Sequence, residues 1–532
     1  MLLIIGLDGA DWRILDPWLQ AGALPTLAAL KARGRWGGLA STMRPESSIA
    51  WTTFATGVNA GRHGVFGFVA QRPDSYQLSI NTAASIRTPS FWQLAARAGK
   101  RIALLNVPMT YPPRAFANGA VVAGMLTPDV RNAFTQPPEL RERLLAAVPD
   151  YVINVERGGG SLQDFIRATT RAIRARGRAA LWLMQQDAWD AFVAVFTSTD
   201  RLQHFTLHLL RPDHPRHHPA EARRLLPDLL AAYQAIDEAI ARLLDAAGED
   251  ATTLILSDHG FSPVARAFYP NVWLQQQGLL TMRAAGAARP SLWRRLRRHA
   301  GLRRLKQRLP LLRDVRRRPP PAAWMQHIDW ARTRAVYSPA SGIRLNIRGR
   351  EPQGVLSPDA ADALADEIAD SLLAVTDPVT GAHPIAAVFR REALYSGPWL
   401  EIAPDLIIDP QRSSPDPGHN NIIPRVLAPA AFADSGDKSG NHAHTGILLA
   451  AGPGIPAGTI ADAHLMDMAP TIMHLLDLPV PAQMEGRVLP LAGASRPRIS
   501  GDDWSAPEDM GQDFAEEDRR IIEERLRSLG YL

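Results

Sequence analysis

Short runs of apolar residues alternate along this chain with longer segments of helical periodicity. The first run spans Leu2 to Leu7, and two later runs span Ala191 to Phe196 and Thr252 to Leu256; each ends abruptly in polar residues. Continuous apolar strands separated by helical segments, such as residues 220–247, are typical of a parallel sheet that is buried on both faces. The pattern therefore predicts an α/β architecture.

Acidic residues follow each of these three runs. Asp8 comes directly after the first run, Asp200 follows the second, and Asp258 follows the third. In an open parallel sheet, the loops beyond the carboxyl ends of the strands converge on one crevice, where ligands bind. We therefore expect the three carboxylates to share a site. An aspartate at such a position can equally cap the helix that follows. No single one of the three aspartates therefore establishes a functional site.

Histidines accompany these acids at spacings that suit metal ligation. Asp200 and His204 lie four residues apart where a helix is expected to begin, so both side chains can reach one ion. The chain contains no cysteine, so carboxylates and imidazoles must supply any metal ligands. A divalent ion needs three or four such donors from separate loops. The candidates are Asp8, Asp200, His204, Asp258, His259 and His442, with His444 close to the last.

The segment 45–57 places two serines, Ser47 and Ser48, just before a predicted helix. A serine at that position can be a simple helix cap. It can also be a nucleophile, because a divalent ion makes an alkoxide available near neutral pH and a helix N-terminus stabilises a nearby phosphate. The residues alone leave both interpretations open.

Composition and length indicate a folded protein of several units. The 532 residues suffice for about three domain-sized units, and 46% apolar with 21% charged residues is ordinary globular usage. A Pro-rich break, a predicted strand near 335–347 and an acidic helix near 358–375 read as an insertion. We expect a first core part at 1–270, an inserted cap at 271–400, a second core part at 401–490, and a tail with a final helix at 491–532.

The positive charge of the chain is concentrated in one segment. Residues 289–318 contain thirteen Lys or Arg and one acid, +12 against a total of +6, which leaves −6 for the remainder. Nucleic-acid binding by the whole protein therefore does not follow from the high pI. The leucine spacing partly fits a basic amphipathic helix. Two interpretations follow: peripheral contact with an anionic membrane, or a solvated helical lid.

The N-terminal apolar run is too short for a signal sequence and has no positive residues before it. No later run reaches the 18 or so apolar residues of a membrane-spanning helix. These features predict a cytoplasmic protein.

Five motifs together resemble one enzyme superfamily. They are LLIIGLDGA, SSIAWTTFATGVNAGRHGVFGF, STDRLQH, SDHGF and GNHAHTGILLAAGPGI. Their order and approximate spacing are similar to those of the alkaline phosphatase superfamily, most of all its type I phosphodiesterase/nucleotide pyrophosphatase branch with its bacterial phosphohydrolases and phosphomutases. The resemblance spans nearly the whole chain apart from the basic segment and the acidic stretch after residue 489.

The resemblance implies a fold and a set of site residues. The fold would be a three-layer α/β/α sandwich with a mostly parallel central sheet and an inserted cap. The site would hold two divalent ions, zinc or alternatively manganese. By position, Asp200, His204 and His442 match the ligands of one ion, Asp8, Asp258 and His259 match those of the other, and Ser47 matches a nucleophile that also contacts the metal. The motif spacing favours Ser47 over its neighbour Ser48.

The implied activity is two-metal phosphoryl transfer. The enzyme would hydrolyse phosphodiester, phosphomonoester or phosphonate bonds through a phosphoserine intermediate. A phosphomutase or a transferase of phosphorylated headgroups on the same scaffold is the alternative. The expected substrate is a small-molecule phosphate ester or a lipid headgroup, with no specific binding of nucleic acid.

Overall fold

The computed structural model describes residues 1–72, 74–283, 323–339, 342–410, 421–422, 430–491, 497–501 and 516–529. The basic segment 289–318 lies outside these residues. Its predicted helix and its membrane contact therefore stay predictions.

A large, mostly parallel sheet forms the centre of the molecule. Within the described residues it contains nine strands. Seven of them run in the same direction, and the strands Thr135–Gln136 and Thr445–Ala451 run in the opposite direction. The α/β prediction is confirmed. In spatial order the strands are β20 (Gly458–His464), β2 (Arg35–Ala40), β19 (Thr445–Ala451), β9 (Thr252–Leu256), β1 (Leu2–Leu7), β8 (Ala191–Phe196), β5 (Ile102–Leu105), β6 (Gly119–Val122) and β7 (Thr135–Gln136).

Helices cover both faces of this sheet. The helices of the described chain are α1 (Trp12–Gln20), α2 (Pro25–Arg33), α3 (Ser47–Thr56), α4 (Ala60–His63), α5 (Phe91–Arg97), α6 (Leu140–Ala147), α7 (Leu162–Met184), α8 (Ser198–Leu210), α9 (Pro219–Ala247), α10 (Pro270–Gln276), α11 (Pro358–Leu373), α12 (Arg391–Leu394), α13 (Met468–Leu475) and α14 (Glu516–Leu529). Short 3₁₀ turns lie at Ala83–Ser85, Ala323–His327, Leu400–Ile402 and Leu465–Asp467.

The central strand β1 shows how the layers are built. Its alternate residues Leu3 and Ile5 pack with helices α1, α2, α7 and α9 on one face. Leu2 and Ile4 pack with α3, α5 and α13 on the other face. All six residues of β1 are buried, as expected for a strand that is covered on both sides. The result is a three-layer α/β/α arrangement.

Local sequence sets the ends of the helices that flank the site. Helix α9 begins at Pro219, where the missing backbone N–H costs nothing. Helix α7 begins with a capping box in which the Ser161 and Asp164 side chains each bond the other's backbone N–H. Helix α3 ends at Gly57, whose φ of 69° is left-handed and favours glycine.

A smaller unit with its own apolar core lies beside the central sheet. Its four antiparallel strands are β12 (Ala335–Ser338), β13 (Gly342–Leu345), β15 (Leu406–Asp409) and β14 (Ala387–Arg390), and they pack with α10 and α11. The sequence placed residues 406–409 in the second part of the core. The strand pairs instead within the smaller sheet, because a short buried apolar strand looks alike in either sheet; the chain returns to the central sheet at β19.

Small ribbons complete the fold near the ends of the central strands. They are β10 (Gly260–Pro263) with β18 (Gly440–Ala443), β11 (Arg266–Phe268) with β16 (Asn421–Ile422) and β17 (Phe432–Asp434), β3 (Val69–Gln71) with β4 (Leu78–Ile80), and β21 (Val480–Pro481) with β22 (Ile499–Ser500).

Among the described helices, none has both the length and the hydrophobicity required to cross a bilayer.

Candidate functional site

Three neighbouring strands of the central sheet deliver side chains to one point. Strand β1 leads directly into Asp8, β9 leads into Asp258, and β8 leads into helix α8, whose first turn contains Asp200. These strands lie side by side in the order β9, β1, β8. Their carboxyl ends therefore meet at the same edge, and the three carboxylates predicted to share a site are brought together.

The first cluster of possible metal donors is Asp200, His204 and His442. Each offers one ligand atom, and these atoms lie within 4.8 Å of one another. Asp200 Oδ1 is 3.4 Å from His204 Nε2 and 3.1 Å from His442 Nε2. The helical spacing of four residues presents Asp200 and His204 together, while β18 brings His442 from far along the chain.

The second cluster is Asp8, Asp258 and His259, and its ligand atoms also fall within 4.8 Å of one another. His259 Nε2 lies 3.3 Å from Asp258 Oδ2 and 3.7 Å from Asp8 Oδ1. The rings of His259 and His442 stack with their centroids 3.9 Å apart. The two clusters are thus halves of one site.

Backbone carbonyl oxygens fix the orientation of all three imidazoles. Nδ1 of His204 donates to the carbonyl oxygen of Gly440 at 3.0 Å, and Nδ1 of His259 donates to that of Gly260 at 3.1 Å. Nδ1 of His442 donates to the carbonyl oxygen of Pro45 at 2.7 Å. Because a carbonyl can only accept, the proton sits on Nδ1 in each neutral ring. Every Nε2 therefore carries its lone pair and is the ring nitrogen that lies among the other donors of its cluster, as metal ligation requires.

The buried carboxylates fit a cation in charge and in geometry. Asp8, Asp200 and Asp258 are all at most 5% exposed, and one oxygen of each has no hydrogen-bond partner within the described structure. Burial raises the pKa of Asp8 and of Asp258, and the nearby Asp200 charge adds to both shifts. Buried, unpartnered carboxylate oxygens are costly unless a cation compensates them. This donor set fits divalent ions such as zinc or manganese.

Ser47 and Ser48 occupy different environments at the start of α3. Ser47 is 1% exposed, and its Oγ lies 3.3 Å from His259 Nε2, at the edge of the second cluster. Ser48 Oγ instead donates to Glu46 Oε1 at 2.9 Å. Only the Ser47 hydroxyl therefore faces the possible metal ligands, and it does so at the positive end of the α3 dipole.

His444 lies outside both clusters, although it is only two residues from His442. Its Nε2 is 3.0 Å from Asp409 Oδ1 in the smaller unit. The two residues line a cavity of about 830 Å³ that also touches Ile49 on α3 and Tyr395. None of the seven predicted site residues lines this cavity. It runs instead alongside the site, between the central sheet and the smaller unit.

Sequence analysis did not identify several groups that hold the possible metal ligands in place. Trp51 Nε1 donates to Asp8 Oδ2 at 3.2 Å, and the Gly9 amide donates to Asp258 Oδ1 at 3.1 Å. The Trp51 ring lies over Gly6, where an added Cβ would be 2.5 Å from it. Trp51 follows Ser47 by four residues on the same helix. This spacing places both side chains on one face of the helix, and it could have indicated that Trp51 lies near the site. The backbone donors gave no signal in the sequence.

The buried histidines make the metal-free protein sensitive to acid. Burial lowers the pKa of His259 to about 4, from an ordinary value of 6.5, so the unfolded chain binds this proton and the folded chain does not as pH falls from 6.5 to 4. This contribution to stability is full above pH 6.5 and is lost across that window. The raised pKa values of Asp8 and Asp258 change the stability in the opposite direction. The contribution of His259 is therefore measured by comparing the wild type with a variant that lacks this histidine.

We therefore expect the free energy of unfolding of the metal-free wild type to fall, relative to His259→Gln, by up to about 3 kcal/mol between pH 6.5 and pH 4. Denaturant unfolding at fixed ionic strength measures this difference. Parallel pH profiles of the two proteins would contradict it.

Comparison with known proteins places the chain by family and by fold. A family model for type I phosphodiesterase / nucleotide pyrophosphatase matches residues 2–414. This match ends before His442, so the position of that residue beside Asp200 and His204 rests on the structure. No curated protein sequence matches the chain significantly.

Two solved structures illustrate the likeness in fold. Phosphonoacetate hydrolase from Sinorhizobium meliloti 1021, in complex with phosphonoacetate, is 14% identical with a TM-score of 0.51, and the alignment covers 88% of this chain and 94% of that one. Wild-type alkaline phosphatase PafA is 13% identical with a TM-score of 0.50, and the alignment covers 92% of this chain and 98% of that one. Both likenesses concern the fold.

Proposed function

Because this chain belongs to the type I phosphodiesterase/nucleotide pyrophosphatase family of metal-dependent hydrolases, we propose that it hydrolyses phosphate esters with two divalent ions and Ser47 as the nucleophile. The observation that carries the proposal is the position of the Ser47 hydroxyl. It lies at the N-terminus of α3 and 3.3 Å from an imidazole nitrogen of a buried Asp/His cluster.

Six side chains would hold the ions. In this proposal Asp200, His204 and His442 bind one ion, and Asp8, Asp258 and His259 bind the other. The unpartnered carboxylate oxygens and the three Nε2 atoms that lie among them support this assignment. When bound, the ions supply positive charge that lowers the pKa of the serine hydroxyl and stabilises the charge on the phosphoryl oxygens.

The residues of the chain perform the remaining steps. Ser47 loses its hydroxyl proton and its Oγ attacks phosphorus in line with the leaving group. The P–O bond to that group breaks, and the group takes up a proton and departs as an alcohol, which leaves a phosphorylated Ser47. Water then attacks the same phosphorus and releases phosphate or a phosphomonoester, which restores the hydroxyl. The N-terminus of α3 favours the negative charge of the bound phosphoryl group. Burial of Ser47 limits competing reactions with solvent.

We infer that the organic part of the substrate occupies the cavity that runs beside the site. Its lining combines the His444 and Asp409 pair with the apolar surfaces of Tyr395 and Ile49. Such a mixture of apolar walls and a few polar groups is typical of a pocket for a small organic ligand. We therefore infer that the site acts on esters with an organic group of substantial size, which favours diesters over small monoesters.

A substrate panel tests the proposed function. Protein loaded with zinc or with manganese is expected to hydrolyse aryl phosphodiesters, with aryl phosphomonoesters and phosphonate monoesters as comparison substrates. Chelation should remove the activity and added metal should restore it, because the Asp/His clusters cannot supply the lost positive charge. Release of the aryl alcohol and of inorganic phosphate are the measurements.

The same panel separates the alternatives. Equal rates with and without chelator would contradict a metal-dependent mechanism. A preference for small monoesters over diesters with bulky groups would contradict the role given to the cavity. Isomerisation of a phosphorylated substrate without release of phosphate or alcohol would reassign the reaction to a phosphomutase.

A further inference from the structure

Three buried arginine side chains lie close together beneath the C-terminal helix α14. They come from three helices: Arg176 on α7 is 1% exposed, Arg201 on α8 is 4% exposed, and Arg525 on α14 is 7% exposed. The group lies on the face of the central sheet opposite to α3 and Ser47. Arginine is rarely buried to this extent without compensation.

One glutamate connects two of these arginines. Nε of Arg525 donates to Glu156 Oε1 at 2.8 Å, whereas Nη1 of Arg201 is 3.9 Å from Glu156 Oε2. The Glu156 side chain is itself 42% exposed. The remaining nitrogens of Arg525 donate to the carbonyl oxygens of residues 125, 127 and 128. Arg525 is thus well held, while the pairing of Arg201 is loose and partly screened by solvent.

Arg176 has no carboxylate within ion-pair distance in the part of the chain that the structure describes. Its Nη1 donates to Thr197 Oγ1 at 3.3 Å, and its Nη2 donates to the carbonyl oxygen of Ile153. Burial lowers the pKa of Arg176 and the neighbouring Arg201 charge lowers it further, while Tyr151 and the Asp8 charge raise it. Positive charge without a directly paired carboxylate therefore lies in a buried place, which opposes folding unless an anion neutralises it.

Several buried hydrogen-bond donors near these arginines have no acceptor within the described structure. Nε of Arg176 and Nη2 of Arg201 are buried and have no hydrogen-bond partner among the described residues. The Thr127 hydroxyl is in the same condition, and the Thr127 carbonyl already binds Arg525. Buried donors without an acceptor are rare in folded proteins. All three groups can donate. The neutral Tyr151 hydroxyl interacts with Arg176 without supplying a negative charge, so an anion is the acceptor that would satisfy all three groups.

We propose that the arginine group formed by Arg176, Arg201 and Arg525 binds a small monovalent anion of the chloride class. The group adjoins the main apolar core, to which Leu202 and Ile522 belong. The cost of moving an ion into such surroundings rises steeply with its charge, which disfavours a divalent oxyanion. Guanidinium groups are suited to this role because they remain charged and are weakly hydrated.

The bound anion stabilises the scaffold of the candidate metal site. Arg201 directly follows Asp200 on α8, and Thr197, which accepts from Arg176, lies immediately before that helix. Neutralising the arginines therefore favours the packing of α7, α8 and α14 against each other. The inference does not depend on the proposed hydrolase function, because it concerns stability and occupancy and not turnover.

Anomalous diffraction with bromide tests the site in the intact protein. Crystals of the full chain soaked in sodium bromide are expected to show an anomalous peak between the guanidinium groups of Arg176 and Arg201. The absence of such a peak, or a carboxylate of the chain itself in that position, would overturn the proposal.

Thermal unfolding provides a second, independent test. At fixed ionic strength, replacing gluconate by chloride should raise the Tm of the wild type by about 2 °C when chloride reaches one hundred times its Kd. Arg201→Met should lose this chloride dependence, whatever its own stability. Arg178→Met is the control, because Arg178 also is an arginine of this helical layer, on the same helix α7 as Arg176, but its side chain is 44% exposed and pairs with Asp150; it should retain the dependence. Equal responses of wild type and Arg201→Met would contradict the proposal.

Discussion

Replacing Ser47 by alanine is expected to reduce turnover on the order of 10⁴-fold or more while two metal ions remain bound. The Ser47 hydroxyl is the one placed beside His259, and alanine removes the attacking oxygen without removing a carboxylate or imidazole. Helix α3 should persist, since alanine is an excellent helix former. Steady-state kinetics on an aryl phosphodiester, together with metal analysis of the purified variant, measure both parts of the expectation.

Ser48→Ala is the matched control for this experiment. Ser48 Oγ donates to Glu46 and does not face the Asp/His clusters, so its loss should change turnover only a few-fold through one missing hydrogen bond. Full turnover by Ser47→Ala would exclude Ser47 as the nucleophile. A phosphoserine trapped at position 48 in the wild type would move the role to its neighbour.

His442→Ala is expected to remove one of the two metal ions and to lower kcat by at least about 100-fold. Loss of a group that merely orients a metal ligand already costs about 10- to 100-fold, and His442 is proposed to be a ligand itself. Without it, the first cluster keeps only Asp200 and His204, which is fewer donors than a divalent site needs. Metal content and kcat of the variant, measured over a range of added zinc, test the prediction.

His444→Ala provides the comparison within the same strand region. His444 pairs with Asp409 and lies outside both clusters of the described chain, so this variant should bind two ions like the wild type. Circular dichroism should show that both variants keep the fold. If His442→Ala bound two ions as tightly as the wild type does, the assignment of the first cluster would be wrong.

The arrangement of the strand-end acids was predictable because two simple rules act together. Buried parallel strands reveal themselves as short apolar runs, and their carboxyl ends must meet at one edge of the sheet. The rules place Asp8 and Asp258 side by side, and helical spacing adds His204 to Asp200. A final helix was also predicted within residues 491–532, where the structure has Glu516–Leu529. These features depend on local pattern and sheet topology alone.

Other features depend on contacts that no local pattern encodes. The strand Leu406–Asp409 has the same apolar pattern as a core strand, but it pairs with β13 and β14 of the smaller sheet. Two adjacent serines begin α3, and only the direction of each side chain in the structure shows which one faces His259. The buried arginines Arg176 and Arg201 lie in ordinary helical sequence, and their meeting with Arg525 required the tertiary fold.

The carbonyl oxygens that orient the three imidazoles have a further consequence for how this site can evolve. Every amino acid has a main-chain carbonyl oxygen, so a substitution at Pro45, Gly260 or Gly440 does not remove the acceptor. None of these three residues contributes to the imidazole orientation through its side chain. Two of them are nevertheless restricted by space, because a Cβ on Gly260 would lie 2.0 Å from the Thr445 oxygen and one on Gly440 would lie 2.6 Å from the Gln203 oxygen. Homologous sequences can therefore differ at many of the surrounding residues while the three imidazoles keep the same tautomer. Gly260 and Gly440, by contrast, should tolerate almost no replacement, although neither has a reactive side chain.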